Sequence, residues 1–331
     1  MAEFEKPKVN YAYDVATERK ALRELKIKRG IPEKTADTLL IATWNLANFG
    51  AQDRRNDDIK LMAEILSWFD LIAVQEVREN KTDFEKLMLE LDDNYQTYFT
   101  DVAGNEERMA YIYDGKKIGT RSLVAEIALP PSRLKGINIA DVNQQFNGFD
   151  RNPFVLSFTF KGVKLLLANV HLFYGGDTKA KIGRRQLETL AVAKWARDVA
   201  GSKYENEPNV IVLGDFNLPH MKNDDPIYVI FQKYGIKTTR YATTIGSTLP
   251  GEKKKANGEA VDIYHYDQIG FYKALKGLKF GETNVFDFDS VLFSDLWNKY
   301  QGKKNRITLF NAYVRYYISD HRPLWVKAEL V

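Results

Sequence analysis

Cysteine is absent from the 331-residue chain. That excludes disulfides, thiolate metal centres and a cysteine nucleophile, and it leans towards a reducing, cytoplasmic setting. A secreted protein whose signal was trimmed would read the same way. Long apolar runs are missing too, and nothing approaches the ~18 residues a membrane helix needs. The opening MAEFEKPKVN is charged and has no apolar signal-peptide core. Charge of one sign is not in large excess. Lys and Arg number 48 against 44 Asp and Glu, a net +4 that is compatible with a phosphate-rich partner without demanding one. No internal repeat and no Pro/Ser-rich linker divides the chain. Histidine is scarce, limited to His171, His220, His265 and His321.

Residues 14–28 read as a charged helix ahead of the first strand, so residues 1–38 are expected to be an N-terminal appendage to a main domain over 39–331. Ile59, Met62, Ala63, Leu66 and Phe69 recur at helical spacing, with Asp57 as the expected cap. Thr82 and Glu85 suggest a capping box for a helix over 82–91. A longer helix is expected near 179–200. Residues 249–260 form a lysine-rich loop, and the aromatic stretch 271–315 yields no assignable elements. LWVKAEL at 324–330 alternates as a strand.

A recurring pattern carries more information. LLIATWN ends at Asn45, FDLIAVQE at Glu76, KLLLANVH at His171, and NVIVLGDFN at Asp215 and Asn217. Each is an apolar run of strand length that stops at a residue able to bind a metal or move a proton. YDQIGF and SDHRP run in reverse, with Asp267, Asp320 and His321 leading into strands. Buried strands are rich in Val, Ile and Leu, and ligands collect at their ends. Six strands are therefore expected to deliver polar groups to one edge.

Taken singly, each residue has an ordinary explanation. Asn45 suits a strand-end turn, GDFN a tight turn, and Asp267 a loop cap. His171 alone is more often a core histidine than a catalyst. His220, His265 and the Lys253–Lys255 run are read as structural or solvated. The set is harder to dismiss. Asn and Glu are hard oxygen ligands suited to Mg²⁺, Mn²⁺ or Ca²⁺. Phosphoester hydrolysis needs a cation against developing negative charge, a base for water and an acid for the leaving oxygen. A histidine oriented by a carboxylate can serve either proton role.

TWN (43–45), QE (75–76), NVHL (169–172), GDFN (214–217), YDQI (266–269) and SDHRP (319–323) occur in the order of the endonuclease/exonuclease/phosphatase superfamily, which the chain resembles over residues 39–330. The resemblance implies an α/β four-layer sandwich: two packed mixed sheets flanked by helices, with the site at the sheet edges. Within the superfamily the chain is most similar to deoxyribonuclease I-like nucleases. AVQEVR continues the metal glutamate into Arg78, EERMAYIY supplies Glu107 as partner of the first histidine, and FDRNPF supplies Arg151. The resemblance thus implies His321 with Asp267 and His171 with Glu107 as catalytic pairs. It gives Asn45 and Glu76 as metal ligands with Asp320 nearby, and Asp215 and Asn217 as positioning groups. Arg78 and Arg151 become phosphate contacts. Whether His321 or Asp215 takes water's proton stays open. The implied activity is a Mg²⁺-dependent DNA endonuclease acting as a monomer, with a phosphomonoesterase or sphingomyelinase-like hydrolase as the alternative. One departure concerns substrate. Those nucleases place a tyrosine in the DNA minor groove two residues before the partner glutamate, and Asn105 stands there.

Overall fold

The computed structural model describes residues 4–202, 209–217, 225–238, 245–251, 264–272 and 276–331. His220 and Lys253–Lys255 lie outside them. The strands are β1 (Thr38–Phe49), β2 (Leu71–Arg78), β3 (Tyr95–Phe99), β4 (Glu107–Asp114), β5 (Gly119–Glu126), β6 (Phe154–Phe160), β7 (Val163–His171), β8 (Val210–Asp215), β9 (Ile236–Thr238), β10 (Asp267–Tyr272), β11 (Leu278–Val285) and β12 (Leu324–Leu330). They form two six-stranded mixed sheets, ordered β11-β12-β1-β2-β4-β3 and β5-β6-β7-β8-β10-β9. The α-helices are α1 (Val15–Lys28), α2 (Asn56–Leu66), α3 (Thr82–Leu89), α4 (Pro131–Leu134), α5 (Lys179–Ala200), α6 (Pro226–Lys233), α7 (Ser294–Lys299) and α8 (Arg306–Tyr317). Three apolar cores follow: one between the sheets, and one outside each sheet under its helices. This is the expected four-layer α/β sandwich.

Strand alternation builds the layers. In β1, Leu39 and Ile41 point into the inter-sheet core, while Leu40, Ala42 and Trp44 point outwards under the helices. Such strands are apolar on both faces because both are covered. Segment 4–38 joins the outer core on the first sheet. Leu22 and Leu25 of α1 are buried, and Tyr11 and Tyr13 pack on Phe293. The aromatic stretch 271–315 resolves into β11, α7 and most of α8, whose Tyr313, Tyr316 and Tyr317 are buried. No helix among the described residues is long and apolar enough to cross a membrane.

Two helix starts differ from expectation. The first residue before α2 is Arg55, not Asp57, because Asp58 reaches back to accept from the Arg55 backbone N–H at 2.9 Å. Asp57 instead pairs with Lys60. Thr82 is the first helical residue of α3, and Asn80 Oδ1 caps its N–H at 3.1 Å.

Polar bonds also cross between the sheets. Asn169 of β7 donates to the carbonyls of Val74 in β2 and Ala110 in β4, each at 3.0 Å, and accepts from Gln75 Nε2 at 2.6 Å. Asn169 is fully buried. Replacing it with Leu removes a bond from each of two buried carbonyls, at about 1–3 kcal/mol each, and one of the two bonds of Gln75 Nε2, which keeps Thr43 Oγ1 at 3.0 Å. Asn169→Leu should therefore lower unfolding stability by roughly 3 kcal/mol or more, read from the urea midpoint. A loss below about 1 kcal/mol would contradict the inter-sheet role.

Candidate active site

Local backbone irregularity aims the first two groups. The β1–β2 pairing shifts register between Asn45 and Phe49, and the β2–β4 pairing shifts between Val74 and Val77. Ala47, Asn48 and Glu76 all adopt left-handed φ, at 51°, 53° and 60°. Non-glycine residues hold such angles only when surroundings impose them, often at functional sites. Bulges re-aim side chains. Here they turn Asn45 and Glu76 into the same space, where Asn45 Nδ2 donates to Glu76 Oε1 at 2.8 Å. The backbone N–H of Asn48 donates to the other Glu76 oxygen at 2.8 Å.

The second sheet brings Asp215 beside them. Gly214 has φ +132°, and a Cβ there would lie 2.1 Å from the Val170 carbonyl, so only glycine lets β7 and β8 approach this closely. Asp215 Oδ1 accepts from the Asn217 N–H at 2.8 Å, and Asn217 Nδ2 holds the Leu172 carbonyl at 2.8 Å. Asp215 Oδ2 is the meeting point. Asn45 Nδ2 donates to it at 3.1 Å, and Nε2 of both His171 and His321 lies 3.7 Å away.

Each histidine is backed by a carboxylate. His321 Nδ1 donates to Asp267 Oδ2 at 2.8 Å. His171 Nδ1 lies 3.2 Å from Glu107 Oε2. Burial pulls the His321 pKa down, but the charges of Asp267, Asp215 and Asp320 and the Asp267 bond outweigh it and raise it well above normal. Burial pushes the Asp267 and Glu76 carboxyls up. It acts the same way on Glu107, where the bond to His171 and the charges of His171 and Arg151 win and lower the pKa.

Segment 319–323 joins these parts. Ser319 Oγ donates to the Asn45 carbonyl at 2.7 Å and accepts from the His321 N–H at 2.9 Å. Trp44 Nε1 donates to the His321 carbonyl at 2.8 Å. Arg322 is buried against Asp289 in a two-point ion pair at 2.7 and 2.6 Å, so it anchors the segment and does not face the cleft. The cleft itself is a cavity of about 220 Å³ lined by Glu76, His171, Asp215, Asn217, Asp320 and His321, with Phe4, Tyr174 and Tyr266 at its edge. His265 is buried next to β10 and is not among the lining residues.

Both arginines expected at phosphate engage groups of the protein itself. Arg151 is 3% exposed and holds the carbonyls of His171 and Leu172 at 2.9 and 3.0 Å, with Nη1 3.6 Å from Glu107. Its donors fix the end of β7, which leaves it poorly placed for a substrate phosphate. Arg78 donates to the Asn105 carbonyl and lies 3.8 Å from Glu107. Asn105 itself sits in a tight left-handed turn, φ 63°. Sequence reasoning passed over Arg54. It is buried, and its Nη2 donates to the carbonyls of Leu46, Ala47 and Ile318 at 2.9, 2.7 and 3.1 Å. It thereby ties the bulged end of β1 to the chain just before Asp320. Burial lowers its pKa to about 10. A lone Arg in a charged loop gives no sequence signal for this. Gln75 and Asn169 were visible as motif letters without a role.

No family model and no curated protein matches the chain. Solved structures do match. An endonuclease/exonuclease/phosphatase from Bacteroides vulgatus is 15% identical with a TM-score of 0.55, over 90% of this chain and 100% of that one. The Bacteroides thetaiotaomicron mannosyl-6-phosphatase is 17% identical, TM-score 0.54, over 88% and 99%. D. rerio TDP2 complexed with a single-strand DNA product is 13% identical, TM-score 0.52, over 88% and 99%. This chain has the endonuclease/exonuclease/phosphatase fold. At these identities the likeness concerns architecture, and chemistry has to be argued from the site.

The donor set in the cleft fits a divalent cation. Glu76, Glu107 and His171 bring ligand atoms within 4.8 Å of one another, as do Asp215, Asp267 and His321. With Asp320, the carboxylates outnumber the imidazoles, a surplus of buried negative charge that a hard cation would neutralise. Glu76, Asp215 and Asp320 are the cleft-lining carboxylates. Asn45 directs its Nδ2 to the carboxylates and its Oδ1 to the Ala47 N–H at 2.9 Å. It could ligate a metal through oxygen only after its amide turned over.

The His321–Asp267 pair predicts a pH signature. A histidine pKa raised on folding stabilises the fold fully below the unfolded value of about 6.5, and that contribution fades as pH climbs through the folded pKa. In EDTA, His321→Gln should lower Tm most near pH 6, and the gap should narrow as pH rises into the alkaline range. A gap that widens with pH would show that His321 is not held as an imidazolium.

Proposed function

We propose that this chain is a divalent-metal-dependent phosphodiesterase that cuts nucleic-acid backbones, with DNA as the foremost substrate. One observation carries the reading: two carboxylate-backed histidines present Nε2 to the same oxygen of Asp215, each 3.7 Å away. A phosphoryl group at that point meets two imidazoles, one able to protonate the leaving oxygen and the other to hold the attacking water or a phosphoryl oxygen. Asp267 and Glu107 fix the two rings. A bound Mg²⁺ or Mn²⁺ would supply charge neutralisation at Glu76, Asp215 and Asp320. Asn217 and Asn45 orient Asp215.

The fold hosts both a protein solved with a single-strand DNA product and a mannosyl-6-phosphatase, so it does not choose between diester and monoester. The mild positive charge and the resemblance of the strand-end residues to nuclease sites favour the diester. The small cleft and the inward-facing Arg151 favour the alternative, a phosphomonoesterase or phospholipid hydrolase.

A purified-protein panel of supercoiled plasmid, oligonucleotides, sugar phosphates and sphingomyelin decides this. Plasmid should be nicked with Mg²⁺ or Mn²⁺, EDTA should abolish nicking, and Glu76→Ala should raise the metal concentration needed. Intact plasmid beside rapid turnover of a monoester or phospholipid would transfer the reading to the alternative. His171→Ala and His321→Ala should each reduce kcat by at least ~10²-fold, the scale of a positioned acid or base. Combined, they should lose less than the product of the two, because the groups act together. Full activity in either single variant would refute the dyad assignment.

A further inference from the structure

Rings and cations gather beside His321 and in the loop that follows β7. The Tyr266 ring lies 6.3 Å from the His321 ring, and Tyr174 lies 6.3 Å from Tyr266 in an edge-on arrangement. The next side chain, Phe173, carries the Arg184 guanidinium 4.0 Å and the Lys181 ammonium 5.0 Å from its ring centre. Tyr174 and Phe173 are both partly exposed, and Lys181 and Lys179 are exposed at the start of α5. Neither lysine pairs with a carboxylate among the described residues. The nearby Asp177 carboxylate is taken by Arg185 at 3.3 Å, and Arg184 is held by Asp150 at 3.2 Å. The first turn of α5 contains no acidic residue.

From this we infer that Tyr174, Phe173, Lys179 and Lys181 form a track for a single strand of nucleic acid leaving the active site. The inference rests on the phosphodiesterase reading above and narrows its substrate. Grooves that hold single strands combine cations for the backbone with aromatic rings on which unpaired bases stack. Duplex bases are already stacked on both faces and cannot offer a ring to a wall of the cleft, so the rings favour unpaired strands. The lysines supply phosphate contacts that carry no sequence information. Two features of the site agree. A cavity of about 220 Å³ accommodates one phosphate and the start of its substituent, so the rest of a polymer must lie outside. Asn105, in its tight turn, offers no ring for a minor-groove grip.

Binding is measured in EDTA, where hydrolysis is arrested, by anisotropy of the full chain with a fluorescein-labelled oligothymidylate and with a hairpin duplex. The single strand should bind at least ~5-fold more tightly than the duplex, on the scale of one stacked base. The double variant Lys179→Glu/Lys181→Glu should weaken single-strand binding at least ~10-fold, and removing two phosphate contacts should flatten the log–log salt slope by about 1.4. Phe173→Leu, which keeps apolar bulk, should weaken binding at least ~5-fold with the slope unchanged. Equal duplex binding, or wild-type binding by either variant, overturns the track. Failure of the parent reading shows separately: the wild type would bind the strand in EDTA yet leave it uncut with Mn²⁺.

Discussion

Asn169 sets the geometry on which the site depends. Apolar side chains between two sheets fix their spacing but resist sliding only weakly. The bonds from Asn169 to Val74, Ala110 and Gln75 fix where along the strands the sheets meet. That position matters because both dyads straddle the boundary. His171 belongs to the second sheet and its partner Glu107 to the first. His321 precedes a strand of the first sheet, and its partner Asp267 belongs to the second. Slippage by one residue would separate both pairs together. Inside a low-dielectric interior such bonds are strong and their absence is costly, so the same network serves stability and alignment.

Around Asp215 the protein concentrates negative charge that it only partly offsets. Arg54 and Arg151 lie behind the carboxylates, where Arg54 Nη2 and Arg151 Nε and Nη2 are engaged by backbone carbonyls. They hold the scaffold and contribute charge from a distance. His321 lines the cleft itself, where the charges of Asp267, Asp215 and Asp320 outweigh burial and draw its pKa up. This division between arginines that brace and a histidine that reaches the cleft follows from chemistry. Guanidinium carries fixed charge and many donors, whereas imidazole titrates near neutrality.

Much of this could be read from the sequence because buried strands announce themselves. Apolar runs ending at Glu76, His171 and Asp215 mark both the strands and the polar groups at their ends, and LWVKAEL matches β12 to the residue. The site motifs were identified, but the direction in which side chains face was not. Arg151 occupied a motif position expected to contact phosphate, and packing turned it inward to the β7 terminus. Helix starts were misread at Asp57 and Thr82 because Asp58 and Asn80 offered better-placed oxygens, a competition set by backbone geometry. Arg54, Gln75 and Asn169 act through partners remote in the chain, and one sequence without its fold cannot pair them.

The strand order also constrains when the cleft can form. The second sheet is built from one continuous stretch, β5 to β10, whereas the first draws on both sides of it. β12 is inserted between β11 and β1, and Thr38 pairs with Glu329 across almost the whole chain. A nascent chain emerging from the ribosome can assemble β1 to β4 early and the second sheet next, yet neither His321 nor the seam that seats it is available until β12 docks. Pairings of such long sequence separation close late and slowly. No partly folded form that lacks β12 therefore holds the complete set of cleft residues, and the two histidine pairs come together only when that strand takes its place beside β1.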